Sequence, residues 1–118
     1  MTTIASTSLD AAFAELRGRV AGPVLDPRSP GYDEVRQVWN GAVDRRPAVI
    51  IRCSSTADVV EAIRFARGAG LPIAVRGGGH SIPGLCICDD EVLIDLQPMK
   101  IVEVDAERRL ATAGAGVV

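Results

Sequence analysis

Apolar positions along the chain change their spacing several times, and each spacing predicts an element. In "SLDAAFAELRGR", residues 8–19, Leu9, Ala12, Phe13 and Leu16 recur at i, i+3, i+4 and i+7. That is the period of a helix with one buried face. Thr7 or Ser8 is available as its N-cap, and Gly22 and Pro23 end it. Pro27, Pro30 and Gly31 then break any period, so "LDPRSPGYDEV" reads as an irregular connection. A short helical turn around 32–38 is expected next, with Tyr32, Val35 and Trp39 facing inward.

"AVIIRC", residues 48–53, is a β-branched run after Pro47 and predicts a buried strand. "SSTADVVEAIRFARGAG" follows it. Ser55 with Asp58 three residues on is a relative of the capping box, and Val59, Ala62, Ile63 and Ala66 share one apolar face. Gly68 or Gly70 supplies the stop. "LPIAVR", residues 71–76, is a second strand, so strand, helix and strand imply a right-handed βαβ crossover with parallel strands. "EVLIDL", residues 91–96, is a third strand. "KIVEVD" and "RLATAG" alternate apolar and polar residues about "AERR" and predict a hairpin. The fold class is therefore α/β (α+β): an N-terminal helix, a parallel βαβ unit with a glycine-rich loop, and a terminal β-hairpin. Residues 1–30 are the helix and its connection; 31–118 carry the rest.

Composition narrows the function classes. The 118 residues suit one domain, and 47% hydrophobic with 24% charged residues is globular rather than disordered. Net charge is −2, with one lysine, Lys100, and no basic stripe, which argues against a nucleic-acid partner. No apolar run approaches the roughly 18 residues of a membrane span. The first residues lack a secretory leader, and three cysteines, Cys53, Cys86 and Cys88, make no disulfide framework. A reduced, cytoplasmic protein off the membrane is the expectation.

The candidate chemistry lies in "RGGGHS", residues 76–81, at the carboxyl end of the second strand, where open α/β sheets place ligands. Glycines let successive amides turn toward one point and admit an anion closely. A pyrophosphate fits, with Arg76 or Ser81 adding contacts. Two familiar phosphate loops fail. Counting G-x-G-x-x-G from Gly77 puts the last glycine on Ile82. Gly79 and Gly84 have P-loop spacing, but Leu85 and Cys86 stand where Lys and Ser/Thr are required. The residues alone leave an anion-binding loop and a glycine-rich turn with a surface histidine both open.

Other groupings carry less. His80, Cys86 and Cys88 beside Asp89 and Asp90 do not have a standard zinc spacing, so no metal site is assigned. Cys53 reads as a small buried hydrophobe. The Arg45–Arg46 pair reads as a solvated turn, and Asp95 as a local cap or pairing group.

"RGGGHSIPG", with "RPAVIIRCSSTADVVEAIRFARGAGLPIAV" before it and "VLIDLQPMKIVEVDAERRLATAGAG" after it, resembles the FAD-binding domain of vanillyl-alcohol oxidase/p-cresol methylhydroxylase-type flavoproteins. The resemblance is closest to the berberine-bridge-enzyme-like FAD-linked oxidases and runs from about Gly31 to Val118, including "WNGAVDRRPA". It implies FAD as cofactor, with Arg76, Gly77, Gly78, Gly79, Ser81 and Gly84 around pyrophosphate or flavin and His80 as a covalent tether to a ring methyl. It implies hydride transfer from a small alcohol, sugar or amine-type substrate to flavin, with reoxidation by oxygen. Some relatives add a cysteine linkage from farther downstream; Cys86 and Cys88 are too close to His80 for that role. The position of Glu91 often carries glycine in relatives, so the turn "CDDEV" is expected to be less comfortable here. The resemblance also places the rest of the FAD domain, the substrate domain and the catalytic base, often a tyrosine, after Val118. A non-catalytic nucleotide-binding module and an inert truncated product are the alternatives. An unpaired sheet edge in the fragment favours self-association.

Overall fold

The computed structural model describes residues 6–118. Its first element is helix α1, Ser6–Arg17. Thr7 and Ser8, expected as caps, therefore lie within its first turn. The helix ends at Arg17 rather than at Gly22, because Gly18 and Val20 already turn back onto the carbonyls of Glu15 and Leu16. The supposedly irregular connection contains strand β1, Val24–Leu25. Helix α2 is a single turn, Tyr32–Val35. Tyr32 does face inward, and its hydroxyl donates to the Pro47 carbonyl at 2.6 Å. Trp39 does not: it is 68% exposed.

Strands β2, Val49–Arg52, β3, Ile73–Arg76, and β4, Val92–Asp95, flank helix α3, Thr56–Ala69. The four-stranded sheet has the order β1-β2-β4-β3, with β1 antiparallel to β2 and the other pairs parallel. β2 and β3 are thus not neighbours, because β4 lies between them. The physical reason is burial: β2 and β4 are the two most apolar strands, and the centre of the sheet covers both faces of each. Val49, Ile51, Val92 and Ile94 face α1 and α3, beside Phe13, Leu16, Ala62 and Ala66. Ile50 and Leu93 face the other way, onto Tyr32, Ile87 and Cys88. β3, at the edge, leaves Ile73 and Val75 exposed.

Helix α3 is capped as expected at one end. The Ser55 side chain accepts the Asp58 N–H, and Gly70, at φ 67°, closes the helix in the left-handed region. Asp58 does more than a capping box requires. Its carboxylate accepts the N–H groups of Ala21, Gly22 and Ser54 and the Ser54 hydroxyl, and so ties the end of the α1 connection to the start of α3. The buried face of α3 runs through Asp58, Ala62, Ala66 and Ala69, while Ile63, assigned to that face, points outward.

The hairpin forms as a separate two-stranded sheet of β5, Val102–Asp105, and β6, Leu110–Ala113. Among the described residues, no helix is long and apolar enough to cross a membrane.

Candidate functional site

The three parallel strands end in one row of charge. Asp95 on β4 sits in register between Arg52 on β2 and Arg76 on β3. Arg76 Nε and Nη2 donate to the two Asp95 carboxylate oxygens at 3.1 and 2.9 Å, and Arg52 Nε reaches the same group at 3.1 Å. The Gln97 N–H adds a fourth bond at 3.2 Å. Arg76 and Asp95 are both fully buried. A buried carboxylate tolerates that position only with such complete pairing. With the Asp58 carboxylate held just beyond the end of β2, the two guanidiniums at this edge are matched by two carboxylates. Asp95 is thus far more than a local cap, and the Arg76 side chain turns inward to it instead of toward a ligand.

The glycine loop starts at the next residue. Among the described residues, none of the backbone N–H groups of Gly77, Gly78, Gly79, His80 and Ser81 donates to a protein acceptor. Buried backbone donors are nearly always paired; here Gly79 is buried and its neighbours are partly open, so the run of amides is left for water or a ligand. Gly79 and Gly84 take φ 77° and 79°, the left-handed region that favours glycine. Gly77 is required for space, since a Cβ there would lie 2.7 Å from the backbone Ala115 carbonyl; one at Gly78 would meet the Val118 side chain at 2.7 Å. The Ser81 Oγ accepts the Leu85 N–H at 3.1 Å, which leaves its own proton free to donate.

His80 is exposed at the loop's end, stacked on Trp39 with ring centroids 6.0 Å apart and planes at 18°. Segment 37–45 splints the loop from outside. The Trp39 N–H donates to the Gly79 carbonyl, Asn40 Nδ2 to the Ile82 carbonyl, and Arg45 Nη1 to those of Gly84 and Ile87. Val43 packs so closely on Gly84 that a Cβ there would lie 2.8 Å away. Arg45 therefore has a structural task that the solvated-turn reading missed. Arg46 is exposed, over the Tyr32 ring and paired with Asp33.

The cysteines take no part in this site. Burial pushes the Cys53 thiol up to about 12 and the Cys88 thiol up to about 11. Both stay protonated at neutral pH, which suits small apolar fillers and not nucleophiles. In the "CDDEV" turn the left-handed residue is Asp90, at φ 56°, not Glu91. Aspartate tolerates that region better than most residues.

A glycine cradle with free amides, a paired and rigid strand edge beneath it and an exposed histidine beside it fits a dinucleotide with a reactive ring at one end. Comparison with known proteins agrees. Residues 47–118 match the family model described as FAD binding domain. The (R)-6-hydroxynicotine oxidase of Paenarthrobacter nicotinovorans is 35% identical over 99 residues, 84% of this chain and 22% of that protein. The solved structure of 6-hydroxy-D-nicotine oxidase from Arthrobacter nicotinovorans superposes with a TM-score of 0.80 at 35% identity, again over 84% of this chain and 22% of that one. Glucooligosaccharide oxidase from Acremonium strictum, whose FAD is 6-S-cysteinyl and 8α-N1-histidyl, matches at 29% identity and TM-score 0.79, over 93% of this chain and 22% of that one. The chain thus spans between a fifth and a quarter of these relatives' length. On the match over 47–118, the chain belongs to the FAD binding domain family, alongside the FAD-linked oxidoreductases it resembles.

Proposed function

We propose that residues 31–118 form the N-terminal part of the FAD site of an FAD-linked oxidoreductase, with 1–30 as the helix and connection leading into it. The observation that carries this is the run of five unpartnered amides at Gly77–Ser81. They would hold the FAD pyrophosphate, with the Ser81 hydroxyl beside them and Gly84 fixing the loop's far side. The strand-end row Arg52–Asp95–Arg76 fixes the strand ends beneath the loop, so Arg76 would act through that ion pair, its bond to the Gln37 carbonyl and its place at the loop's start. When bound, FAD accepts two electrons as a hydride from a small alcohol, sugar or amine-type substrate and passes them to oxygen. A cytoplasmic setting suits three free cysteines.

His80 is the covalent tether in this reading. Its lone-pair nitrogen bonds to the carbon of a flavin ring methyl. One methyl hydrogen and the imidazole N–H hydrogen leave as protons, the electron pair passes to the ring system, and dioxygen takes it up as hydrogen peroxide. Neutral imidazole is a competent nucleophile at physiological pH. The histidyl FAD of the Acremonium strictum oxidase supports the assignment by analogy. The test is acid precipitation of the full-length holoprotein. Flavin fluorescence in the washed pellet, lost in His80→Ala, is expected. A colourless pellet with all flavin in the supernatant rejects the tether.

A binding module without turnover is the second reading. Tyr32, the chain's only tyrosine, is raised in pKa by burial and commits its hydroxyl to Pro47. Tyr32 is unsuited to act as the catalytic base, so a base must come from elsewhere. Bleaching of bound flavin by substrate separates an oxidase from a module that binds FAD unchanged, and an inert product shows neither.

A further inference from the structure

Trp39 is the chain's sole tryptophan, and within the described residues its side chain stands exposed beside the glycine loop rather than in either core cluster. Its indole lies nearly parallel to the His80 imidazole, at a separation typical of offset stacks. The stack is anchored from both sides. Arg76 Nη1 donates to the Gln37 carbonyl at 3.2 Å, the Trp39 N–H to the Gly79 carbonyl at 2.9 Å, and Asn40 Nδ2 to the Ile82 carbonyl at 2.8 Å. Residues 37, 39 and 40 are thereby pinned to 76, 79 and 82, one contact on each flank of the two rings and one between them. An exposed histidine ordinarily samples several rotamers. Here an aromatic plane, itself fixed through its backbone, limits that freedom before any ligand arrives.

We propose that Trp39 is a positioning residue for covalent flavin attachment. Its indole holds the His80 imidazole in the orientation from which the ring nitrogen meets the flavin methyl carbon. The proposal rests on the tether reading above and uses the same balanced step, in which the C–N bond forms, two protons leave and dioxygen receives the electron pair. Trp39 takes no part in those transfers; it acts through His80. Fixing a nucleophile in advance accelerates the bond-forming step without tightening the initial complex. The rate of attachment should therefore depend on Trp39, and the affinity of the first, non-covalent complex should not.

The experiment uses full-length apoprotein as wild type, Trp39→Ala and Trp39→Phe, each incubated with FAD in air. Two quantities are read: the Kd of the initial complex, from rapid-mixing flavin fluorescence, and the first-order rate of acid-precipitable flavin at saturating FAD. Trp39→Ala is expected to attach flavin about tenfold more slowly or worse with a Kd within about twofold of wild type. Trp39→Phe, which keeps a flat ring, is expected to recover most of the rate. Attachment by Trp39→Ala at the wild-type rate overturns the positioning role and leaves the tether intact. A Kd that weakens in step with the rate overturns it too, because that outcome marks a general loss of loop structure. Wild type that binds FAD but never attaches it overturns the tether and the positioning role together.

Discussion

Gly78 carries the most specific residue-scale consequence. It is not one of the loop's left-handed glycines, so a side chain there is not barred by its backbone angle. The obstacle is space, since a Cβ would lie 2.7 Å from Val118 Cγ1 and 3.1 Å from the His80 imidazole. Val118 is exposed and can give way, whereas the His80 ring must shift by a few tenths of an ångström against its stack on Trp39. Gly78→Val would therefore shift the imidazole and put two methyls where the pyrophosphate must approach. We expect FAD affinity to fall by about tenfold or more, at least ~1.4 kcal/mol. The thermal midpoint should stay within a few degrees, because the β2–β4 core lies below the loop. Flavin-fluorescence titration and a melting curve on the same sample check both halves. Undiminished affinity would remove the loop from the binding site.

At the scale of elements, the Asp58 carboxylate is what fastens α3 to the connection after α1. Burial raises its pKa, but the bonds from Ala21, Ser54 and Gly22 outweigh that and hold it below the ordinary carboxylate range. A carboxyl group with a folded pKa below its unfolded one stabilises the fold fully above the unfolded value. That contribution disappears as pH falls through the folded value. Acid should thus lower the melting midpoint steeply below about pH 4, and Asp58→Asn should be less stable near neutrality yet show a shallower acid slope. Thermal melts of both proteins from pH 6 to pH 3, a range set by roughly these values, decide it; parallel slopes would assign the acid sensitivity elsewhere. Much at this scale was legible in the chain. The 3.6-residue period gave α1 and α3, the β-branched runs gave β2 and β4, and alternation about "AERR" gave the hairpin. Two-residue β1 is too short to leave a period, and the insertion of β4 between β2 and β3 is a matter of which strands can be buried on both faces. The glycine loop was legible as a loop, although three successive glycines left an anion-binding role and a plain turn both open. Its supports were not: the Asp95 row depends on strand register, and Trp39 meets His80 across 41 positions of sequence.

For the molecule as a whole, the hairpin decides behaviour in solution. The pairs Val102–Ala113 and Val104–Ala111 put four apolar side chains on one face, with Glu103, Thr112, Asp105 and Leu110 on the other. Every residue of β5 and β6 is exposed, and Val104 is 73% so. A two-stranded ribbon is marginal alone in water, and an uncovered apolar face of this kind seeks a partner surface. The relatives, nearly four times as long, have other segments available to cover such a face. The 118-residue chain by itself has only a second copy of the same ribbon, or the exposed edge of β3 with Ile73 and Val75. We expect it to be a concentration-dependent dimer or larger species by size exclusion with light scattering, and to bind FAD weakly because the isoalloxazine end of the ligand has few contacts here. Val102→Lys with Val104→Lys places like charges on both ribbons and should return a monomer. The hairpin's other face and the α1–α3 core are untouched by that change, so a folded monomeric variant is the expected outcome. A wild-type chain that stays monomeric at high concentration and binds FAD at micromolar or better would favour a self-sufficient binding module instead.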